Sequence, residues 1–200
     1  MTAARPSAKR HNKKVKFLKI LAFAASNSRN SISRALLEHA ASRFRAEIAP
    51  HAEIEFLDLN DFEMPIYSPE REKASGIPAA AQTFFRKIGA ADALLISFAE
   101  HNGFVTAAWK NIFDWMSRIE TKLWQGKPMV IMAASPGRRA GAGVLQSQQM
   151  MAPRFNGDIR GAVGIGRWPE AFDLETGTLT RPEDIEALGK ALAALGVKAD

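Results

Sequence analysis

FLKILAFAASNSRNSISR, residues 17–34, decides the fold. Its first part, Phe17–Ala24, is a nearly continuous apolar run broken only by Lys19. A run this short, followed by serine, asparagine and arginine, predicts a strand buried on both faces. Apolar residues then recur at helical spacing over 32–48: Ile32, Leu36, Leu37, Ala40, Phe44 and Ile48. Strand passing into helix is one unit of an alternating pattern, and the pattern repeats downstream. Ile54–Leu59 predicts a second strand, and a loop with Pro65 and Pro69 follows. Pro78 suits the first turn of a helix running to about Gly89. Ala93–Phe98 predicts a third strand, Ala107–Arg118 a helix, Pro128–Ala134 a fourth strand and Ala142–Met151 a helix. Ala162–Ile165 is a fifth, weaker strand, and Thr180-Arg-Pro-Glu183 reads as a capping box opening a last helix on Ile185, Leu188, Leu192 and Leu195.

Five alternations argue a parallel sheet with helices on both faces. The expected class is α/β, a flavodoxin-like three-layer sandwich with a five-stranded parallel sheet of order 2-1-3-4-5. The chain has 200 residues, which suits a single domain. Residues 1–15 read as a disordered basic tail and 16–197 as the folded domain. The net charge of +6 sits wholly in residues 1–16, which carry six basic side chains and no acid. The rest balances 21 basic against 21 acidic residues, so the body has no excess charge for phosphate backbones. Contact of the basic tail with nucleic acid or anionic lipid is the lesser alternative to a solvated tail. The absence of cysteine excludes disulfides, zinc–thiolate sites, thiol nucleophiles and cysteine-ligated clusters. No apolar stretch approaches the roughly 18 residues of a membrane span, and no secretory signal follows the charged leader, so the cytoplasm is the expected compartment.

In a sheet of this order, ligands sit beyond the carboxyl ends of the strands, at the switch point between the first and third. That rule selects loops 25–31, 99–105 and 135–143. The first lacks both G-x-G-x-x-G and the phosphate loop ending in G-K-[ST]. It carries instead Ser26, Ser28, Ser31 and Ser33, with Asn27 and Asn30, at the start of a helix. Helix N-termini attract anions, and four serines exceed what capping needs, so this loop is a candidate cradle for one phosphate. The second loop holds Glu100, His101, Asn102 and Gly103. Glu100 is a candidate general base and His101 a candidate acid, while Asn102 and Gly103 also suit a plain turn. His39 and His51 read as surface positions, and no histidine pair has metal-ligand spacing. The third loop holds Ser135, Pro136, Gly137, Arg138 and Arg139. Ser135 lacks the G-x-S-x-G elbow of a hydrolase, so a glycine-rich wall against a flat ligand is the better reading. Arg138 and Arg139 are candidates for the phosphates of an anionic co-substrate, or are simply solvated.

With these loops in view, the chain resembles the NADPH-dependent FMN reductase family, which includes flavin-dependent quinone, chromate and azo-dye reductases. The resemblance spans roughly 16–190 and rests on ASNSRNSISR (25–34), EHNG (100–103), WKNIFDW (109–115) and SPG (135–137). It implies FMN as cofactor, with NADPH or NADH as co-substrate. It implies that Ser26, Ser28, Ser31, Ile32 and Ser33 hold the FMN phosphate. By position it implies that Glu100, His101, Asn102 and Gly103 run along the isoalloxazine ring and that Ser135, Pro136 and Gly137 line its other edge. The flavin would carry the chemistry, passing hydride from NAD(P)H to a small acceptor such as a quinone or free flavin by a ping-pong mechanism, with no catalytic side chain required. Departures include Ser28 where many members have arginine, His101 in place of a tyrosine, and Arg138 and Ala140 where glycines are frequent.

The helix 105–119 shows two apolar stripes: Ala108, Ile112, Trp115 and Ile119, and Trp109, Phe113 and Met116. That is wider than one core-facing stripe. With the resemblance it implies a homodimer, or a tetramer, through this helix, against the alternative of a helix buried within one domain. The rival functions are a flavodoxin-like electron carrier or redox-linked regulator with little turnover, and a binding module that has lost FMN.

Overall fold

The structure is a computed structural model and describes residues 17–196. The basic tail expected over 1–15 lies outside the described residues. The elements run in chain order as β1 (Lys19–Ala25), α1 (Ile32–Glu47), β2 (Glu53–Leu57), α2 (Pro69–Ser75), α3 (Ala79–Ala90) and β3 (Ala93–Phe98). There follow β4 (Glu100–His101), β5 (Phe104–Val105), α4 (Ala107–Ile119), β6 (Pro128–Ala134), α5 (Ala142–Met151) and β7 (Asp158–Ile165). The chain closes with α6 (Trp168–Ala171), β8 (Phe172–Asp173), β9 (Thr178–Leu179) and α7 (Pro182–Ala193). Five strands pair in parallel in the order β2-β1-β3-β6-β7, which is 2-1-3-4-5 when only the strands of this sheet are counted.

Alternation along the strands divides the core. Ile20, Ala22 and Ala24 of β1 point to the face covered by α1 and α7, with Leu95, Val130 and Met132. Leu21, Phe23 and Ala25 point to the other face, with Ile96, Phe98, Ile131 and the inward residues of α3, α4 and α5. Both faces are therefore covered, which is why β1, β3 and β6 read as unbroken apolar runs.

Several expectations need correction. The second apolar stripe of the helix 105–119 is not an outward surface. Trp109 is 1% exposed and Met116 is fully buried within the same chain. Trp109 stacks on Trp124 at 5.7 Å, and Phe113 meets Phe155 edge-on at 4.8 Å. The outer face of α4 carries Lys110, Asp114 and Arg118 instead, with Lys110 and Asp114 paired at 2.7 Å. The loop with Pro65 and Pro69 contains a helix, α2, opened by Pro69 behind the Ser68 cap. The supposed capping box is not one: Arg181 is the N-cap of α7 without a side-chain bond, and Thr180 Oγ1 donates to the Glu170 carbonyl at 3.0 Å. His39 is half-buried, edge-on to Phe172 at 6.0 Å. β7 begins at Asp158 rather than Ala162. It is an edge strand, and its Gly161 is needed where α7 approaches: a Cβ there would lie 2.5 Å from the Ala191 carbonyl oxygen.

Candidate functional site

The loop from β1 into α1 is built to offer N–H groups. Ser31 caps α1, its Oγ accepting from Arg34 N at 3.4 Å, and Ser26 Oγ accepts from Ser28 N at 3.2 Å. Among the described residues, the backbone N–H groups of Arg29, Asn30, Ser31, Ile32 and Ser33 have no acceptor. Five unspent donors at the positive end of a 16-residue helix make this loop a candidate anion cradle. Ser28 faces solvent, whereas Ser33 is 0% exposed and its hydroxyl has no partner. Ser33 therefore offers the cradle its backbone N–H rather than its side chain. Arg29 is exposed nearby. Arg34 is already committed, to Glu38 at 2.9 Å and Asp58 at 3.4 Å. The backbone N–H of Asn60 holds the Asp58 carboxyl below its usual range, with the Asn60 side chain and Arg34 adding to the effect.

The second loop is a hairpin. β4 and β5 pair antiparallel, and the two residues between them are Asn102 at φ 54° and Gly103 at φ 85°. Two left-handed residues in a two-residue connection give the turn that matches strand twist, for which Asn-Gly is the favoured pair. Glu100 pairs with Val105 and His101 with Phe104. The first pair is half-buried and the second exposed. Two bonds mount the hairpin. Thr106 Oγ1 donates to the Ala25 carbonyl at 3.0 Å, tying it to the end of β1. Glu100 Oε2 accepts from Val144 N at 2.9 Å, tying it to the first turn of α5. One Glu100 carboxylate oxygen is thus engaged by a helix N-terminus, which gives this side chain a structural role in the hairpin. Gly143 makes this closeness possible: a Cβ there would lie 3.1 Å from Glu100 Oε2 and 3.2 Å from the Gly103 carbonyl oxygen.

The third loop folds down onto the end of β7. Ser135 Oγ donates to the Gly137 carbonyl at 3.0 Å, and the Gly137 carbonyl also accepts from Arg167 N at 2.9 Å. Gly164 and Gly166 permit the contact: a Cβ on Gly164 would lie 2.3 Å from the Ala140 carbonyl oxygen. The glycines expected to line a flat ligand divide into two kinds. Gly141, at φ 69°, is consumed against Ala133, whereas Gly137 borders open space. Pro136, Arg138 and Arg139 are exposed, and neither arginine has an ion-pair partner among the described residues.

A fourth segment escaped the sequence reading. Asn111 Oδ1 accepts from Tyr67 N at 2.9 Å, and its Nδ2 donates to the carbonyls of Met64 at 3.0 Å and Pro65 at 3.2 Å. Trp115 Nε1 donates to the Pro65 carbonyl at 2.7 Å. Asn111 and Trp115 lie four residues apart on one face of α4 and strap the 63–67 segment to it. Between that strap and Asn27 lies a cavity of about 490 Å³, lined also by Ala107 and Ala108. Such a volume lies within the range of small-molecule sites, roughly 300–1,000 Å³. The spacing of Asn111 and Trp115 was the only signal in the sequence for this strap.

The residues of the three selected loops thus converge at the carboxyl ends of β1, β3 and β6. An anion cradle, an open glycine and a rigid hairpin fit a flat ligand that carries one phosphate, as FMN does. Among the described residues there is no group of three or more His, Asp or Glu side chains placed to hold a metal, and no helix long and apolar enough to cross a membrane.

A family model described as NADPH-dependent FMN reductase matches residues 18–161. The chain is 35% identical over 121 residues to an NAD(P)H-dependent FMN reductase from Pseudomonas aeruginosa, an alignment covering 60% of this chain and 62% of that protein. It is 27% identical over 181 residues to an NADPH:quinone oxidoreductase from Arabidopsis thaliana, covering 89% of this chain and 90% of the other. In structure it is similar to FerB, a flavoenzyme NAD(P)H:(acceptor) oxidoreductase from Paracoccus denitrificans. The TM-score is 0.71 at 20% identity, over 90% of this chain and 96% of that one. At that identity the likeness establishes the fold alone.

Proposed function

Because the chain belongs to the NADPH-dependent FMN reductase family, we propose that it is an FMN-dependent oxidoreductase that passes hydride from NAD(P)H to a small acceptor, a quinone or free flavin, by a ping-pong mechanism. The observation that carries this is the set of unspent N–H groups at Arg29–Ser33, placed at the switch point of the sheet beside an open hairpin. Bound FMN supplies the hydride chemistry. The chain's own residues bind and orient. The N–H groups of residues 29–33, with the exposed Ser28 hydroxyl, hold the phosphate without a formal charge of their own. Ser26 and Ser31 shape that loop through their internal bonds. Asn102 and Gly103 present the backbone of the hairpin turn to one side of the ring, with His101 next to them. Gly137, with Ser135 and Pro136, borders the other side. Arg138 and Arg139, exposed and without an ion-pair partner among the described residues, meet the phosphates of NAD(P)H. A homodimer through the helix 105–119 belongs to the same proposal, although its aromatic stripe is buried within the chain; the mass in solution checks it.

Steady-state kinetics with NADPH and a quinone varied together test the mechanism. Parallel double-reciprocal lines are expected. Intersecting lines would refute the ping-pong order. FMN retention with negligible turnover would favour the electron-carrier reading.

A further inference from the structure

The β4–β5 hairpin uses only one of its two faces to build the fold. Glu100 and Val105 are opposite one another and turn inward, to the Val144 N–H and the core. His101 and Phe104 are the other directly opposed pair, so their side chains share the outward face. Phe104 is 72% exposed, and among the described residues the His101 side chain makes no ring contact or hydrogen bond. A phenyl ring left in water in this way contributes nothing to the core, and an Asn-Gly turn does not require an aromatic flank. The exposure is not a fraying loop. The turn has the favoured two-residue geometry, and both of its ends are bolted down, by Thr106 to the end of β1 and by Glu100 to α5. The backbone that carries the ring is therefore anchored at the carboxyl end of β3, at the point where sheets of this order receive ligands.

We propose that Phe104, with His101 beside it, is the stacking surface that selects a planar aromatic electron acceptor, such as a quinone. This rests on the reading that FMN occupies the adjoining crevice. The chemistry favours such a partner. An aromatic acceptor is electron-poor across its face, and the face of a phenyl ring is electron-rich, so offset stacking is attractive beyond the area it buries. The adjacent imidazole provides an N–H at the rim of the platform for a quinone carbonyl. A compact, charged acceptor has no use for either feature. Phe104 is thus a specificity-determining residue that acts by binding, with no part in moving hydride.

The test uses FMN-loaded protein without NADPH, so that nothing turns over. Menadione is titrated and its dissociation constant read from the perturbed flavin spectrum, at equal FMN occupancy, for wild type, Phe104→Ala, Phe104→Trp and Met150→Ala. Met150, 65% exposed near the end of α5, is the control for loss of any surface apolar group. Phe104→Ala is expected to weaken menadione binding roughly three- to tenfold. Phe104→Trp is expected to hold or tighten it, and Met150→Ala to leave it alone. In turnover, the menadione KM of Phe104→Ala should rise by the same factor while its kcat changes less, and the preference for menadione over ferricyanide should fall accordingly. Wild-type binding in Phe104→Ala, or equal weakening in Met150→Ala, would overturn the proposal. Failure of wild type to retain FMN would instead overturn the reading of the crevice, and the platform with it.

Discussion

Replacing Glu100 with alanine separates a structural carboxylate from a chemical one. The N-cap of the α5 helix is Gly141, which has no side chain to cap it, and the first turn contains no acid. Glu100, from a different loop, supplies both: its Oε2 accepts from Val144 N at 2.9 Å. A hydrogen bond from a backbone N–H to a charged acceptor contributes about 1.5–3 kcal/mol, and an anion at a helix N-terminus about 0.3–1 kcal/mol. Glu100 is half-buried, so solvent screens part of this, and a loss of about 2 kcal/mol is expected for Glu100→Ala. At 200 residues each kcal/mol moves Tm by about 2–4 °C, so Tm should fall by about 4–8 °C. Glu100→Gln retains an acceptor and loses the charge, so its loss should be about half as large. Urea unfolding gives the free energies, and hydrogen exchange at the Val144 amide locates the loss, with protection falling there first. Unchanged Tm and Val144 protection in Glu100→Ala, together with abolished turnover, would refute the capping role and restore the general base that the sequence suggested.

Asn111→Ala removes three hydrogen bonds that strap residues 64–67 to α4; we expect a loss of about 2–3 kcal/mol in chemical denaturation and new protease cleavage within 63–67, and an unaltered cleavage pattern would contradict the strap. Ala140 is held at φ 54°, where a Cβ costs about 1–2 kcal/mol and glycine does not, so Ala140→Gly should stabilise by about 0.5–1 kcal/mol after glycine's greater unfolded-state entropy is counted; a fall in Tm would show that no strain is stored there. Burial lowers the pKa of His39, helped by the nearby Arg43 and opposed by a backbone hydrogen bond to Gly177 and by Glu47. The folded state therefore binds its proton less readily than the unfolded chain, whose value is 6.5, and stability should drop as pH falls through and below 6.5. His39→Leu should flatten that part of the pH–stability curve, and an unchanged slope would exclude His39 as its source.

How much of this was legible depended on burial. β3, β6 and α5 have the limits expected from sequence, because strands buried on both faces and a helix between two glycine-bearing turns carry strong local signals. β7 was read four residues short because an edge strand bearing Asp158, Arg160 and two close-approach glycines looks polar and broken. α4 misled for the opposite reason. It packs against the sheet, against Trp124 and Phe155, and against the 63–67 segment, so an apolar surface too wide for one contact was absorbed within one chain. Periodicity counts apolar faces and does not say what covers them. In the site, the serine-rich loop was found by its composition and position. What each serine does was not legible, because it depends on whether a hydroxyl turns to its own loop, as at Ser26, or into the core, as at Ser33. Glu100 is the sharpest instance: its partner, Val144, is 44 residues away in the chain.

The most direct measurement is the visible spectrum of the protein purified with added FMN, desalted, and then mixed with NADPH without oxygen. Flavin absorbance that survives desalting and bleaches on adding NADPH is the predicted result. Flavin lost on desalting would contradict the cradle at residues 29–33, and retained flavin that NADPH does not bleach would contradict the reductase.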